Sequence, residues 1–465
     1  MATTLSAGTA AAIITPERPM QLQGYDRGPS TGALDPLEAR AIVFDDGSTQ
    51  AAIVTADLIG LEYAFEGPEC ASVHRIRASA AAASGVPEDN IMVACSHTHA
   101  SPSVQRLSHL PEDDEYQRTV EQTLGAVVGE ASRAMQPVTL GVGEGMVDIN
   151  VNRRLRTPDG NTAMRPNRQG IVDKRVRVLR VDPASAPEPI GTLGSRPLPQ
   201  SDPLAVLFSY VCHATTLGGD NYRFSADYPG SARRVVEGVY QANGDAGTRA
   251  LFLPGCFGNI RPHLLRPNES FRGATDHELL VLGRLLGSEV VQTAERVVSE
   301  PVAAIAVARR EVSLPYGALP TEAELRTAAA NDRQSRWANL ILAQIERDGS
   351  LPTTDTAEVQ VMRLGPHWLV TTPGETQLEI GLSIERGFAD LGLARPEQGE
   401  QVLTLGYTNG NVGYLCTAST IFERGYEPST AYSGYRRPAA FAPEAEAVLI
   451  DTALALGQEI VRAQG

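Results

Sequence analysis

Apolar, β-branched runs of strand length alternate along this chain with longer amphipathic stretches, which is the pattern of an α/β protein. The stretches 39–44 and 51–55, on either side of Asp45-Asp46-Gly47, read as a β-hairpin. Further strands are predicted at 91–95, 176–181, 204–212, 250–253, 359–364, 368–372 and 402–407. Helices are predicted at 63–84, 114–135, 229–242, 277–298, 321–348, 377–390 and 442–463. The Pro-, Ser- and Gly-rich segment 182–203 falls between two strands and reads as a surface loop, and about 320–350 reads as a helical insertion. No internal repeat is visible. The pattern predicts one large domain with insertions over residues 1–465: a central mixed β-sheet flanked by helices.

Five of these strands run into unusual polar segments. The strand 51–55 leads to Asp57 and Gly60, and 91–95 to Ser96-His97-Thr98-His99. The strand 204–212 leads to His213-Ala214-Thr215-Thr216, 250–253 to Pro254 through Asn259, and 368–372 to Pro373-Gly374-Glu375. Open α/β sheets bind ligands at the carboxyl ends of their strands, so such ends on one side would make one site. Alternate residues of an extended segment face opposite ways, so at most one of His97 and His99 is expected to reach a metal. A turn with two solvated or capping histidines explains the pair equally well. His213 reads as a ligand or as a hydrogen-bonded core histidine, and Glu375 as a ligand or as an acid favoured at a helix N-terminus. Two histidines and a glutamate with one open position are what catalytic zinc asks for. Imidazole and carboxylate without thiolate also suit zinc better than an iron–sulfur cluster or copper(I).

Composition removes several classes. Lys+Arg 40 against Asp+Glu 55 leaves a net charge of −15, a poor match to nucleic acid or an anionic membrane. The single lysine, Lys174, lies between Asp173 and Arg175, which excludes a Walker A loop and argues against Schiff-base chemistry. The five cysteines, Cys70, Cys95, Cys212, Cys256 and Cys416, are odd in number and lack C-x-x-C spacing. With an N-terminus that carries no positive region ahead of its apolar stretch, they point to a reducing compartment and a cytoplasmic protein. No apolar run approaches the ~18 residues of a membrane helix, so no integral membrane association is expected. Gly28-Pro29-Ser30-Thr31-Gly32 matches G-x-S-x-G formally, but it lacks the preceding strand and following helix of a nucleophile elbow.

One ordered set of segments carries a resemblance. It comprises Gly8 through Pro16, Gly24-Tyr25, Leu37-Glu38-Ala39-Arg40-Ala41, Thr55 through Gly60, and Ser96-His97-Thr98-His99. It continues with Asn150-Val151-Asn152-Arg153, His213-Ala214-Thr215, Ser225 through Gly230, Pro373-Gly374-Glu375, Asn411-Val412-Gly413-Tyr414 and Gly425-Tyr426-Glu427. In this order the segments resemble the N-terminal catalytic domain of the neutral/alkaline ceramidases, which are zinc-dependent and cleave the amide of an N-acylated sphingoid base. The resemblance implies one zinc per chain on His97, His213, Glu375 and Tyr414, with His99, Arg153 and Tyr426 on the substrate side. It leaves Asp57, Asn259 and Arg261 as substrate-side or ligand-orienting candidates. Three departures stand out. The chain is expected to lack the C-terminal immunoglobulin-like domain of ceramidases, and it shows neither secretion nor membrane-tethering signals. Their G-D-x-S-P-N segment is represented by Gly258-Asn259-Ile260-Arg261-Pro262-His263, so Arg261 takes the serine position and excludes a serine nucleophile there. The expected activity is zinc-dependent hydrolysis of a small-molecule amide: an N-acyl amine, an N-acyl amino acid or a lactam. A true ceramidase, a zinc esterase or lactonase, and a non-catalytic metal-stabilised binding protein are the alternatives. Arg153 and Arg261 are expected to favour an acidic substrate group. A homo-oligomer is compatible with all of these.

Overall fold

The structure, a computed structural model, describes residues 5–63, 71–108, 113–185, 191–193, 196–197, 199, 201–241, 247–302, 304–331 and 334–464. Eight strands form the main sheet. They are β1 (Ser6–Ile13), β2 (Glu38–Asp45), β3 (Gln50–Ala56), β4 (Ile91–Cys95), β5 (Gln136–Met146), β8 (Arg175–Pro183), β11 (Ala205–Tyr210) and β12 (Arg249–Pro254). Their order is β12-β11-β8-β5-β1-β2-β3-β4, with β3/β4 and β11/β12 parallel and the other pairs antiparallel. Helices α1 (Ser72–Ser84) and α2 (Asp114–Arg133) cover one half of the sheet, and α3 (Asp227–Tyr240) and α4 (Asp276–Ala294) the other.

A second mixed sheet has the order β14-β15-β16-β18, formed by β14 (Ile305–Pro315), β15 (Thr354–Leu364), β16 (His367–Thr371) and β18 (Val402–Leu405). Helices α7 (Leu378–Asp390) and α10 (Glu444–Gln464) pack on it, with the short α8 (Ala418–Glu423) and α9 (Tyr426–Ser429) between them in the chain. Period-two alternation explains why both sheets are sandwiched. In β2, Ala41 and Val43 face α1 and α2, whereas Ile42 and Phe44 enter a core shared with Met362, Leu364, Leu369, Leu403 and Leu405 of the second sheet. In β15 and β16, Val359, Val361, Trp368 and Val370 turn outward to α7 and α10. Strands buried on both faces read as continuous apolar runs, which made them visible in the sequence.

The strands missed by that pattern have other compositions. β1 is built of small residues, and β5 carries Gly141, Gly143 and Gly145 where the last turns of α4 and the segment following it pack directly on the strand. β6 (Asn150–Arg156) and β7 (Thr162–Asn167) are polar, and with β13 (Ile260–Pro262) they make a small sheet of order β13-β6-β7. The helix expected at 63–84 begins at Ser72; residues 64–70 lie outside the described residues. The helix expected at 321–348 is two, α5 (Glu322–Ala329) and α6 (Ser335–Asp348), because the polar run Asn331 to Ser335 offers no apolar position to continue the buried stripe. Within the expected loop 182–203 a short antiparallel pair, β9 (Thr192–Leu193) and β10 (Arg196–Pro197), is present, and residues 186–190, 194–195, 198 and 200 lie outside the described ones. Among the described residues no helix is long and apolar enough to cross a membrane.

Two further features bring strand ends together. The end of β18 bridges from Leu405 to Gly255, beyond β12, and the chain after it bridges from Thr408 to Ala94 in β4. The short parallel pair β17 (Glu375–Thr376) and β19 (Tyr414–Leu415) sets Glu375 in register with Tyr414.

Candidate metal centre and active site

His97 follows β4, His213 follows β11, and Glu375 follows β16, so three strand ends from two sheets converge. Glu375 Oε2 lies 3.3 Å from His97 Nε2 and 3.0 Å from His213 Nε2. His99 Nε2 is 3.2 Å from His97 Nε2. One ring nitrogen from each of His97, His99 and His213 falls within 4.8 Å of the others, a spacing that can hold a metal ion. The alternation expected to separate His97 from His99 fails. His97 has φ 59°, a left-handed conformation that breaks the extended path and turns both rings to one point.

Backbone carbonyls fix each ring. His97 Nδ1 is 2.6 Å from Ile59 O, His213 Nδ1 is 2.7 Å from Phe257 O and 2.9 Å from Ile260 O, and His99 Nδ1 is 3.3 Å from Gly24 O. A carbonyl oxygen only accepts, so in this network each Nδ1 carries the hydrogen and each Nε2 presents a lone pair. Three such nitrogens and a carboxylate oxygen therefore meet with no proton of their own between them. That donor set fits a divalent cation, and the carbonyl contacts behind it are those that fix metal-binding histidines. Glycines make the approach possible. A Cβ on Gly24 would stand 2.3 Å from His99 Nδ1, and one on Gly258 would stand 2.3 Å from Glu375 O.

Charge at the centre follows from burial and neighbours. Burial opposes ionisation of Glu375, yet His97 and His213 hold its carboxyl well below the usual range. Burial, reinforced by Arg153, pushes His213 down to about 4, and burial with His97 and His213 holds His99 well below its ordinary value. All three groups are thus in the form that binds a cation. Tyr435, which no sequence motif flagged, donates its hydroxyl to Glu375 Oε1.

Neither family models nor curated proteins match this sequence. Solved structures do. The neutral ceramidase from Pseudomonas aeruginosa aligns with a TM-score of 0.73 and 18% identity, covering 99% of this chain and 75% of that one. A ceramidase complexed with C2 aligns with a TM-score of 0.73 and 17% identity, covering 99% and 76%. The fold is neutral ceramidase-like.

On this ceramidase-like fold the remaining candidates fall into distinct places. Arg153, in β6, donates from Nη2 to the Tyr414 hydroxyl at 2.9 Å, and its Nη1 lies 3.4 Å from His213 Nε2. Its charge is paired with Glu427, which also receives Arg154. Glu427 belongs to the Gly425-Tyr426-Glu427 segment, and the sequence alone assigns it no role. Tyr426 is 45% exposed, and its ring lies 5.6 Å from that of Tyr414. Asp57 is bound to Arg233 at 2.9 and 2.5 Å and accepts the Glu38 amide; it anchors the turn whose Leu58 and Ile59 carbonyls hold His97. Asn259 binds Glu379 and the Leu378 amide, and its carbonyl accepts the Arg153 amide, so it is a scaffold residue here. Arg261 lies over the Phe271 ring at 4.2 Å in a neighbouring cavity. Cys95, Cys212, Cys256 and Cys416 are buried and free, and burial pushes their thiols up; Cys70 lies outside the described residues.

Proposed function

We propose that this protein is a zinc-dependent amidohydrolase acting on a carboxamide C–N bond of an N-acyl amine, an N-acyl amino acid or a lactam. The observation that carries the reading is the convergence of His97, His99 and His213 ring nitrogens with Glu375 Oε2. In this reading His97, His213, Glu375 and Tyr414, the residue paired in register with Glu375, hold one zinc ion per chain, and His99 stands beside them on the substrate side without being required for metal binding. Bound there, zinc would supply Lewis-acid chemistry, polarising the amide carbonyl and making water a nucleophile at neutral pH.

The chain's own groups do the rest. In this reading Arg153 and Tyr426 supply the donors to the oxygen that gains charge, each such donor being worth roughly 3–4 kcal/mol in a dry site. Water adds to the carbonyl carbon, the C–N bond breaks with its electron pair on nitrogen, and a proton goes to that nitrogen, giving an acid and an amine. His99, neutral at physiological pH because burial holds its pKa down, is placed to take a proton from water and pass it on. Glu375, pinned by Tyr435, keeps a fixed negative charge under the histidines.

Elemental mass spectrometry on wild type, His97→Ala, Glu375→Ala and His99→Ala tests this, with hydrolysis of an amide, ester and lactone panel in parallel. Wild type should carry about one zinc per chain, lost in the first two variants together with amide hydrolysis. His99→Ala should keep the metal and lose turnover by 10²–10⁴-fold, the usual weight of general acid–base catalysis. A metal-free wild type that still cleaves amides would overturn the mechanism.

A further inference from the structure

Beside the metal centre lies a cavity of about 520 Å³, walled by Tyr25, Gly218, Gly219, Arg261, Phe271 and Gly273 among others. That volume is within the range of small-molecule pockets. It adjoins the centre through two connections. The Ile260 carbonyl receives both His213 nitrogens, N and Nδ1, at 3.1 and 2.9 Å, and the next residue in β13 is Arg261. Tyr25 belongs to the cavity wall, and its ring centroid is also 5.4 Å from that of His99.

Arg261 is half-buried, and among the described residues it makes no ion pair and no hydrogen bond. Its Nε is a buried donor with no partner. The neighbouring guanidinium groups are all engaged. Arg272 binds Glu278 at 2.6 Å, Arg153 binds Glu427 at 2.9 Å, and Arg27 binds the Gly218 and Asn221 carbonyls at 3.1 and 2.8 Å. Arg266 donates to the Phe271 carbonyl at 2.5 Å. The one carboxylate on the wall, Asp220, is exposed at the rim and forms no ion pair with Arg261. Withdrawing a cation from water without a partner is unfavourable, so a site that keeps one in this state is built for an anion that arrives from outside. Stacking on Phe271 fixes the guanidinium plane at 4.2 Å and leaves its edge free, and one such edge matches one planar carboxylate.

We propose that this cavity is a carboxylate subsite in which Arg261 receives an acidic group of the substrate whose amide lies at the histidine–glutamate centre. The inference rests on the amidohydrolase reading and names its substrate class: amides that bear a carboxylate, such as N-acyl amino acids. Arg153, which the sequence set beside Arg261 as a second anion receptor, is neutralised by Glu427 and does not share the role.

The test uses N-hexanoylglycine and N-hexanoylethanolamine, near-equal in size and different in charge, with the metal-loaded full-length protein. Wild type should favour the carboxylate by about 10- to 100-fold in kcat/KM, the weight of one charged hydrogen-bonded pair. Arg261→Gln should erase that preference and Arg261→Lys should keep part of it. Calorimetric binding of both compounds is measured alongside, since it needs no turnover. If neither compound is cleaved, the amidohydrolase reading fails, but tighter binding of the carboxylate to wild type than to Arg261→Gln still supports the subsite. Equal binding and equal turnover of the two compounds by wild type would overturn it, as would a preference that survives Arg261→Gln. Should Arg261→Gln not fold, a partial preference in Arg261→Lys supports the subsite and an undiminished one overturns it.

Discussion

Tyr435 holds Glu375 by Oε1 and so leaves Oε2 directed at His97 and His213. Removing that hydroxyl in Tyr435→Phe keeps the ring and frees the carboxylate. Metal affinity is expected to weaken about 10- to 100-fold, the usual effect of losing an outer partner, and chelator competition measures it. A second residue titrates in an accessible range. Asp227 opens α3 at φ 54°, accepting the Thr216, Leu217 and Tyr228 amides. Burial pushes its carboxyl from 3.8 up to about 6, against the pull of those donors. The folded state therefore keeps a proton in the window from 3.8 to about 6 that the unfolded chain has released. The stability this lends is complete below that window and lost as pH rises through it. Asp227→Asn does not titrate and tolerates the left-handed backbone. Relative to wild type it should gain up to ~3 kcal/mol between about pH 4 and 7, read from urea unfolding at each pH. An unchanged difference would contradict the raised value.

Arg77 of α1 reaches across to Glu358 of β15 with two bonds of 2.8 and 2.6 Å, and Asn409 and Arg309 bind the same carboxylate at 3.0 and 2.9 Å. Glu358 is fully buried, so Glu358→Ala strands the buried Arg77 guanidinium at the junction of the sheets, whereas Arg309 keeps its bond to Asp89. Thermal or urea unfolding should show a loss of about 3–5 kcal/mol. The double variant with Arg77→Ala should lose less than the sum of the singles. Elements also explain what was legible beforehand. β4, β11 and β16 were visible because burial on both faces makes an unbroken apolar run, and the polar residues that end each run, His97, His213 and Glu375, were visible as interruptions. β1 and β5 were not, since alanine and glycine supply no such run. The turn that unites His97 with His99 was unreadable, because nothing in Ser96-His97-Thr98 announces a left-handed residue. Tyr435 was unreadable for another reason. It reaches Glu375 across 60 positions of sequence from a segment with no periodicity or spacing. The bond between them exists only once the fold is complete.

At the scale of the molecule, the centre is a tie between sheets: its histidines follow strands of the main sheet and its glutamate follows a strand of the second. A cation bound there favours the folded state by mass action, ~4.1 kcal/mol at a thousandfold excess over Kd. Stripping the protein with a chelator should therefore lower Tm by several degrees, and restoring zinc should recover it; an unchanged Tm would show that the tie carries no load. The same arrangement sets a schedule for synthesis. His97, His99 and His213 leave the ribosome well before Glu375, and the inward face of the main sheet is made before Met362, Leu364, Leu369, Leu403 and Leu405 exist to cover it. While the stretch from Pro254 to Leu405 is made, about a third of the chain, that face is an open apolar surface of the kind that aggregates or recruits chaperones. The nascent protein is thus most vulnerable just before its last sheet arrives, and the arrival that protects it is the one that completes the candidate site.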